Sequence, residues 1–375
     1  MTEKFTGQWF GTSSAGPAVL VNLAQEGFAL TGRVSLFEEA DIAGQNVTVC
    51  LWYYFEGKVQ DDGFIEGTAN LISIHDKLGS LLTKENLEAI QEAGFEFPNE
   101  TTFRGKKSGD YEFSAEWTSS YPTKETTRGQ IILERKPPSD SNVTHEEMSW
   151  NTFKEHALEQ KEGTVFRGQA RPWRLQTSFH RTGHADLIAY LDRNIPELEN
   201  HVNAYSRHAY NVLDDRSLGA LLNLAQHHGY PTPLLDWTRS PYVAAFFAFE
   251  DEASLLPDGS ISIFMFDEAE WVKMMGRQAP LRVPAVMVKM IELPGLGNER
   301  VLPQQAMTMY SNVDDIEAIL QPQEDTAGQL LKAVSIPAAE RDKAMRDLSL
   351  MGITWGSMFP GLDGICKQLS SRHFK

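Results

Sequence analysis

The chain has 375 residues, 41% of them hydrophobic and 23% charged. That length suits two domains, and the composition fits neither a disordered nor a fibrous chain. The formal net charge of −17 opposes contact with a phosphate backbone, so broad electrostatic DNA or RNA binding is disfavoured, which leaves room for a local basic pocket within an acidic shell.

The two cysteines, Cys50 and Cys366, are far apart and belong to no CxxC pair. A disulfide framework and a structural zinc cluster are therefore excluded, and both thiols are expected buried, reduced and inert. The opening Met1-Thr2-Glu3-Lys4-Phe5-Thr6-Gly7 has no apolar run of the signal-peptide kind. No apolar stretch is long enough to span a bilayer, so no membrane contact and a cytoplasmic setting are expected.

Residues 1–136 read as an antiparallel β-barrel or sandwich within an α+β chain. Short alternating runs recur at Gln8–Gly11, Ala18–Val21, Phe28–Gly32, Val47–Trp52, Tyr111–Ser114 and Gly129–Leu133, with turn-forming residues between several of them. Val47, Val49 and Leu51 share one face of a strand, and Cys50 and Trp52 the other. Apolar residues at helical spacing over Leu81–Ile90 predict one helix, placed to cap a barrel end. Gly7-Gln8-Trp9-Phe10-Gly11 and the Gly-rich turns resemble calycin-type barrels in outline.

Residues 137–143 form the linker, because Pro137, Pro138 and small polar residues favour extended backbone. In the second domain, 144–375, Thr144 and Glu147 match a capping box that would open a helix through Met148, Trp150, Phe153 and Ala157. A strand at Thr164–Phe166 is followed by helices over Ala185–Asp192, Leu198–Tyr210 and Leu218–His227. Ser240 caps a further helix with Pro241 at its first position. Its continuation Val243–Phe249 is apolar all round and so buried. Strands at Ser260–Phe266, Ala285–Lys289 and Leu330–Ile336 precede a helix from Pro337, with Ala344, Leu348 and Met351 on one side and Gly352 at its end.

Four clusters carry the candidate chemistry. In Phe166-Arg167-Gly168-Gln169, an arginine at a strand end offers five fixed donors to phosphate or carboxylate, and Gly168 would let a ligand approach the backbone. The alternative is an arginine paired with a buried carboxylate such as Asp236, and both readings stay open. The second cluster runs from Gln226 to Thr238, and its Gly229, Pro231 and Pro233 fix the backbone. His227 and His228 point about 100° apart on a helix and lack a third ligand, so no metal is expected. His227 then reads as a polar pocket residue. Asp236 would accept hydrogen bonds from Arg167 or a ribose, or else cap the turn that follows. In Asn298–Gln305, residues Arg300, Leu302 and Gln304 would share a face if the segment is a strand. Met358–Gly364 reads as an anchor for the last helix, with Asp363 and Gly364 making a turn.

Taken with Trp173-Arg174-Leu175, Ala244–Ala248 and Phe359-Pro360-Gly361-Leu362-Asp363, these clusters resemble the FRG family in order and spacing, over residues ~145–375. That family is known from bacterial and phage proteins. Ala306 departs from its pattern, which has glycine after Gln304-Gln305. The pattern is also similar in outline to the ADP-ribosyltransferase fold, whose aromatic-Arg-Gly motif holds NAD. That similarity implies two alternatives. One is an ADP-ribosyltransferase or NAD-cleaving enzyme with Arg167, His227, Asp236 and Gln304 as catalytic residues. The ligand would then touch Phe166, Gly168, Gln169, Thr232, Trp237, Thr238 and Arg300. The other is a sensor or interaction module that binds a nucleotide or another anionic small molecule without altering it. Gln304 stands where those enzymes carry a glutamate, and a neutral amide stabilises a ribosyl cation less. The N-terminal β domain is left for a second ligand or a protein partner.

Overall fold

The computed structural model describes residues 5–374 apart from 15, 43–44, 77–78, 93, 138, 252–253, 257 and 277–280. Met1–Lys4 and Pro138 of the linker lie outside the described residues. The first body is a closed barrel of eight strands: β1 (Gly7–Ser13), β2 (Ala18–Glu26), β3 (Ala29–Ile42), β4 (Gln45–Val59), β5 (Ile65–Asp76), β6 (Glu100–Lys107), β7 (Glu112–Ser120) and β8 (Thr127–Glu134). Each strand pairs antiparallel with the next, and β1 closes on β8 from Phe10↔Glu134 to Ser13↔Ile131. Closure removes every exposed edge, which decides between barrel and sandwich.

Period-two alternation sends Val19, Val21, Leu23, Val49, Leu51, Phe113 and Leu133 inward. On β5 the register shifts, so that Trp52 faces Ser73 and Tyr53 faces Leu71, leaving Ile72 as an extra residue. This bulge flips the alternation and lets Ile65, Ala69 and then Ile74 all join the interior. One barrel end is filled by Phe5 and Trp9 against Phe113, with ring centroids 5.9 and 6.3 Å apart. At the other end helix α1 (Lys84–Glu92) inserts Ile90, as its apolar spacing predicts. Between the two ends lies a cavity of about 530 Å³.

The second body is a seven-stranded sheet in the order β13-β14-β11-β10-β12-β15-β9. Its strands are β9 (His145–Glu147), β10 (Thr164–Gln169), β11 (Leu234–Thr238), β12 (Ser260–Asp267), β13 (Val288–Ile291), β14 (Ala306–Ser311) and β15 (Leu331–Pro337). All neighbours are antiparallel except β9 beside β15. The helices are α2 (Trp150–Leu158), α3 (Ser178–Arg181), α4 (Leu187–Ala189), α5 (Ile195–Tyr205), α6 (Asp215–His227), α7 (Pro241–Glu250), α8 (Glu268–Met275), α9 (Ile316–Leu320), α10 (Glu324–Ala327), α11 (Arg341–Leu350), α12 (Trp355–Met358) and α13 (Leu362–His373), with a π-helical turn at Tyr190–Asn194 between α4 and α5. Ser240 caps α7 by accepting from the Val243 amide, and the apolar helix is buried, both as predicted.

Several expectations are corrected. Thr144 and Glu147 do not open a helix: His145–Glu147 is a strand paired with Ala333–Ser335, and Ser149 caps α2 through the Thr152 amide. Asn298–Gln305 is a series of turns, and Gln305 is the one non-glycine residue among those described with positive φ, +47°. Left-handed backbone ends any strand there. Met351 lies past the end of α11 and is exposed. Asp363 and Gly364 belong to the first turn of α13 rather than to a separate turn. Cys50 is buried, and burial pushes its thiol up to about 12. Cys366 is exposed, because α13 buries only Gly364.

The two bodies share a polar interface. The Gln8 side-chain amide donates to the Asn312 carbonyl (2.9 Å) and accepts from the Asp314 amide (2.9 Å). Ser35 Oγ donates to the Pro284 carbonyl (2.8 Å). Arg33 pairs with Asp186 at 2.5 Å and lies over the Trp52 and Tyr54 rings.

His180 is buried beside this interface, its Nδ1 2.7 Å from Thr177 Oγ1, and burial holds its imidazole down to about 3. The folded ring stays neutral, whereas the unfolded ring takes a proton below ~6.5. The unfolded state thus binds more protons between those values, and stability falls as pH drops from ~6.5 towards 3. Thermal melts at pH 7 and 4.5 should show this loss, and His180→Gln should shrink the difference between them. An undiminished difference in that variant would place the sensitivity elsewhere.

Candidate functional site

The helices on one face of the sheet form two groups. Phe166, Ile263 and Met265 pack under α7, while Leu234, Tyr310 and Ile291 pack under α6. The seam between the groups runs along the junction of β10 and β11. These strands share a single register pair, Phe166↔Thr238, whereas β10 pairs with β12 at six positions. Beyond that pair, Arg167 Nη1 reaches the main-chain carbonyl of Asp236 at 2.7 Å.

Arg167 is therefore neither free nor paired with the Asp236 carboxylate. Among the described residues no carboxylate lies within 4.0 Å of its guanidinium nitrogens, and its buried Nε has no partner. Burial pushes its pKa down to about 10; Asp236 opposes that shift, and Arg181 at the end of α3 adds to it. Arg181 feels Asp236 as well and, like Arg167, forms no ion pair among the described residues. Among the described residues its guanidinium makes one hydrogen bond, to the Gln176 carbonyl 2.7 Å away. The Asp236 carboxylate is exposed and accepts from Gln226 Nε2 at 2.5 Å; the Gln226 carbonyl oxygen in turn accepts from buried Thr232.

The end of α6 carries a second group. Burial lowers the His227 imidazole to about 4, and the nearby Arg300 and His228 push the same way. The Arg300 guanidinium lies 4.6 Å from the Phe359 ring centroid, with Nε buried and without a partner. The Gln304 side chain is tied by its Nε2 to the Met358 carbonyl (2.8 Å), and its main-chain carbonyl accepts from Thr238 Oγ1 (2.7 Å).

Other residues singled out in the sequence are engaged by the fold. Phe166 is 3% exposed under α7, and Trp237 is 2% exposed against Phe266. Gln169 donates to the Trp173 carbonyl at 2.7 Å. A Cβ on Gly168 would stand 1.8 Å from the Ala244 carbonyl oxygen, so what approaches this glycine is α7. Arg181 went unnoticed in the sequence, since nothing around it carries a periodic or motif signal.

A separate cavity of about 530 Å³ is lined by Ser262, Ser335 and Glu147, beside Arg171 and Trp173. Neither this cavity nor the barrel interior is lined by Arg167, His227, Asp236 or Gln304. No group of three or more His, Cys, Asp or Glu side chains suited to a metal occurs among the described residues. Among them, too, no helix is long and apolar enough to cross a membrane.

Fold and seam define an α+β protein in which a closed antiparallel barrel is joined to a mixed-sheet domain carrying an arginine-lined junction. Residues 162–255, which span β10 through α7, match the FRG domain model, so the chain contains an FRG domain. No curated protein matches the chain. Among solved structures, EF1p2_mFAP2b bound to DFHBI overlaps 35% of this chain and 93% of its own, at 9% identity and a TM-score of 0.22. A low-affinity mutant of shwanavidin overlaps 36% and 100%, at 18% identity and a TM-score of 0.22. The apo form of shwanavidin gives the same coverage and identity with a TM-score of 0.21.

Proposed function

We propose that the FRG domain binds an anionic ligand of the nucleotide class, NAD among them, at the seam between α6 and α7, and holds it without turnover. The supporting observation is that Arg167, Arg181 and Arg300 form no ion pair among the described residues, although the chain carries 51 acidic side chains. Phosphate oxygens suit Arg167 and Arg181, whose planar donors match them. The exposed Asp236 carboxylate suits a ribose hydroxyl. Gln304 has no charge, and its amide is already committed to Met358. That favours holding a ligand over stabilising a ribosyl cation.

Titration calorimetry with NAD, ADP-ribose and ATP at low and high salt tests this reading. Arg181→Ala should weaken binding about tenfold or more, the loss of one charge-assisted contact, with little change in melting temperature. Arg167→Lys should weaken it further. Absence of saturable binding to all three ligands would overturn the proposal. Nicotinamide release that Arg167→Lys abolishes would overturn the non-catalytic half and restore the transferase reading.

A further inference from the structure

The cavity inside the barrel is unrelated to the arginine seam. Its about 530 Å³ is in the range of small-molecule sites. Protein interiors otherwise hold few voids larger than a water molecule. Deep in the barrel the wall is apolar, with Leu23, Phe55, Ile65 and Leu133 among its residues. The filled end at Phe5 and Trp9 closes it below, so access lies at the α1 end, where Tyr121, Lys124 and Thr127 reach the rim.

Polar groups lining the cavity gather at that end. Most are satisfied within the fold: Glu39 accepts from Thr48 Oγ1, and Glu96 from the Thr123 and Lys124 amides. Lys124 Nζ donates to the Gly94 carbonyl, and Thr101 and Ser119 bond each other. Glu38 differs. Its half-buried carboxyl has no hydrogen-bond or ion-pair partner among the described residues, and burial raises its pKa. Tyr53 lies within range of both Glu38 and Tyr121, and the Trp117 ring lines the same cavity. A carboxylate without a counter-charge beside aromatic rings is costly to the fold and of no use to it. The same arrangement suits a cation, whose charge the carboxylate balances and whose surface the ring faces attract.

We propose that the barrel cavity binds a small organic cation, an apolar body carrying a protonated amine, with the amine at Glu38 between Tyr53 and Tyr121. The apolar body fills the space below, towards Phe55 and Leu133. An anionic amphiphile of the same size is disfavoured, because its head would meet Glu38.

Three probes with one ring system separate charge from shape: 1-naphthylmethylamine, 1-naphthalenemethanol and 1-naphthylacetate, titrated calorimetrically into the full chain at neutral pH. The amine should bind at least tenfold more tightly than the alcohol, and the carboxylate most weakly. Glu38→Gln should bring amine and alcohol to within threefold of each other, while Glu38→Asp keeps a preference for the amine. Ala115→Phe, which fills the cavity from its wall, should abolish binding of all three. Circular dichroism checks that each variant folds, and Glu38→Asp keeps the test decisive if Glu38→Gln does not. Equal binding of amine and carboxylate, tighter binding of the carboxylate, no saturable binding of any probe, or a preference unmoved in Glu38→Gln would each overturn the proposal.

Discussion

Gly168→Ala is expected to destabilise the FRG domain more than any surface change in it. The added methyl would stand 1.8 Å from the Ala244 carbonyl oxygen, 2.7 Å from its carbon and 3.0 Å from Ala248 Cβ. None of these atoms can swing aside, because two are backbone and the third is a methyl on a buried helix. α7 would have to lift off β10, loosening the contacts of Phe166 with Ala244, Phe246 and their neighbours. Over-packing of a core costs about 1–3 kcal/mol, and more where backbone must move. For a domain of this size that corresponds to a melting temperature lower by roughly 2–12 °C. Calorimetry of the purified variant reads it directly, and a shift under about 2 °C would show that α7 is not seated as described.

Arg33→Ala should produce the second large effect. The Arg33 and Asp186 side chains are 16% and 7% exposed, and the pair joins the barrel to the FRG domain. Asp186 also caps α4 through the Ala189 amide. Removing the arginine leaves a buried carboxylate without its counter-charge, which costs about 3–5 kcal/mol. The stacking of Arg33 on Trp52 and Tyr54 is lost with it. Since the loss falls on the interface, heat unfolding should separate into two transitions, one for the barrel and one for the second body. Arg33→Ala combined with Asp186→Asn should recover part of the loss, because no buried charge then stands alone. A single transition at the parental temperature would contradict this account.

How far the sequence revealed this structure depended on whether local pattern and tertiary pairing agreed. α7 was legible down to its cap, because Ser240, Pro241 and the apolar run all specify one element. The barrel was legible as β structure from runs in β1, β2, β3, β4, β7 and β8, but β5 and β6 were not; in β5 Ile72 breaks the alternation, so the rule for half-buried strands fails there. Thr144 and Glu147 have the spacing of a capping box, yet pairing with β15 outweighs it and moves the helix start to Ser149. Around the seam, the residue types of Arg167, Asp236 and Gln226 drew attention to the right segments. What each side chain does was not readable. Arg167 meets a carbonyl rather than a carboxylate, and Gly168 accommodates a helix. Glu38 could not be singled out at all, because nothing in a sequence marks a carboxylate as lacking a partner.

The single pair between β10 and β11 bears on what holds the sheet of the second body together. Seen mechanically, its sheet is two leaves, β13-β14-β11 and β10-β12-β15-β9, whose hydrogen-bonded junction is one rung and the Arg167 side chain acting as a strap, while Trp237 packs across it on Phe266 on the opposite face. Under the proposed ligand-binding role, a ligand that takes over the guanidinium would release the strap, and the rung together with the apolar packing on the opposite face would hold the leaves.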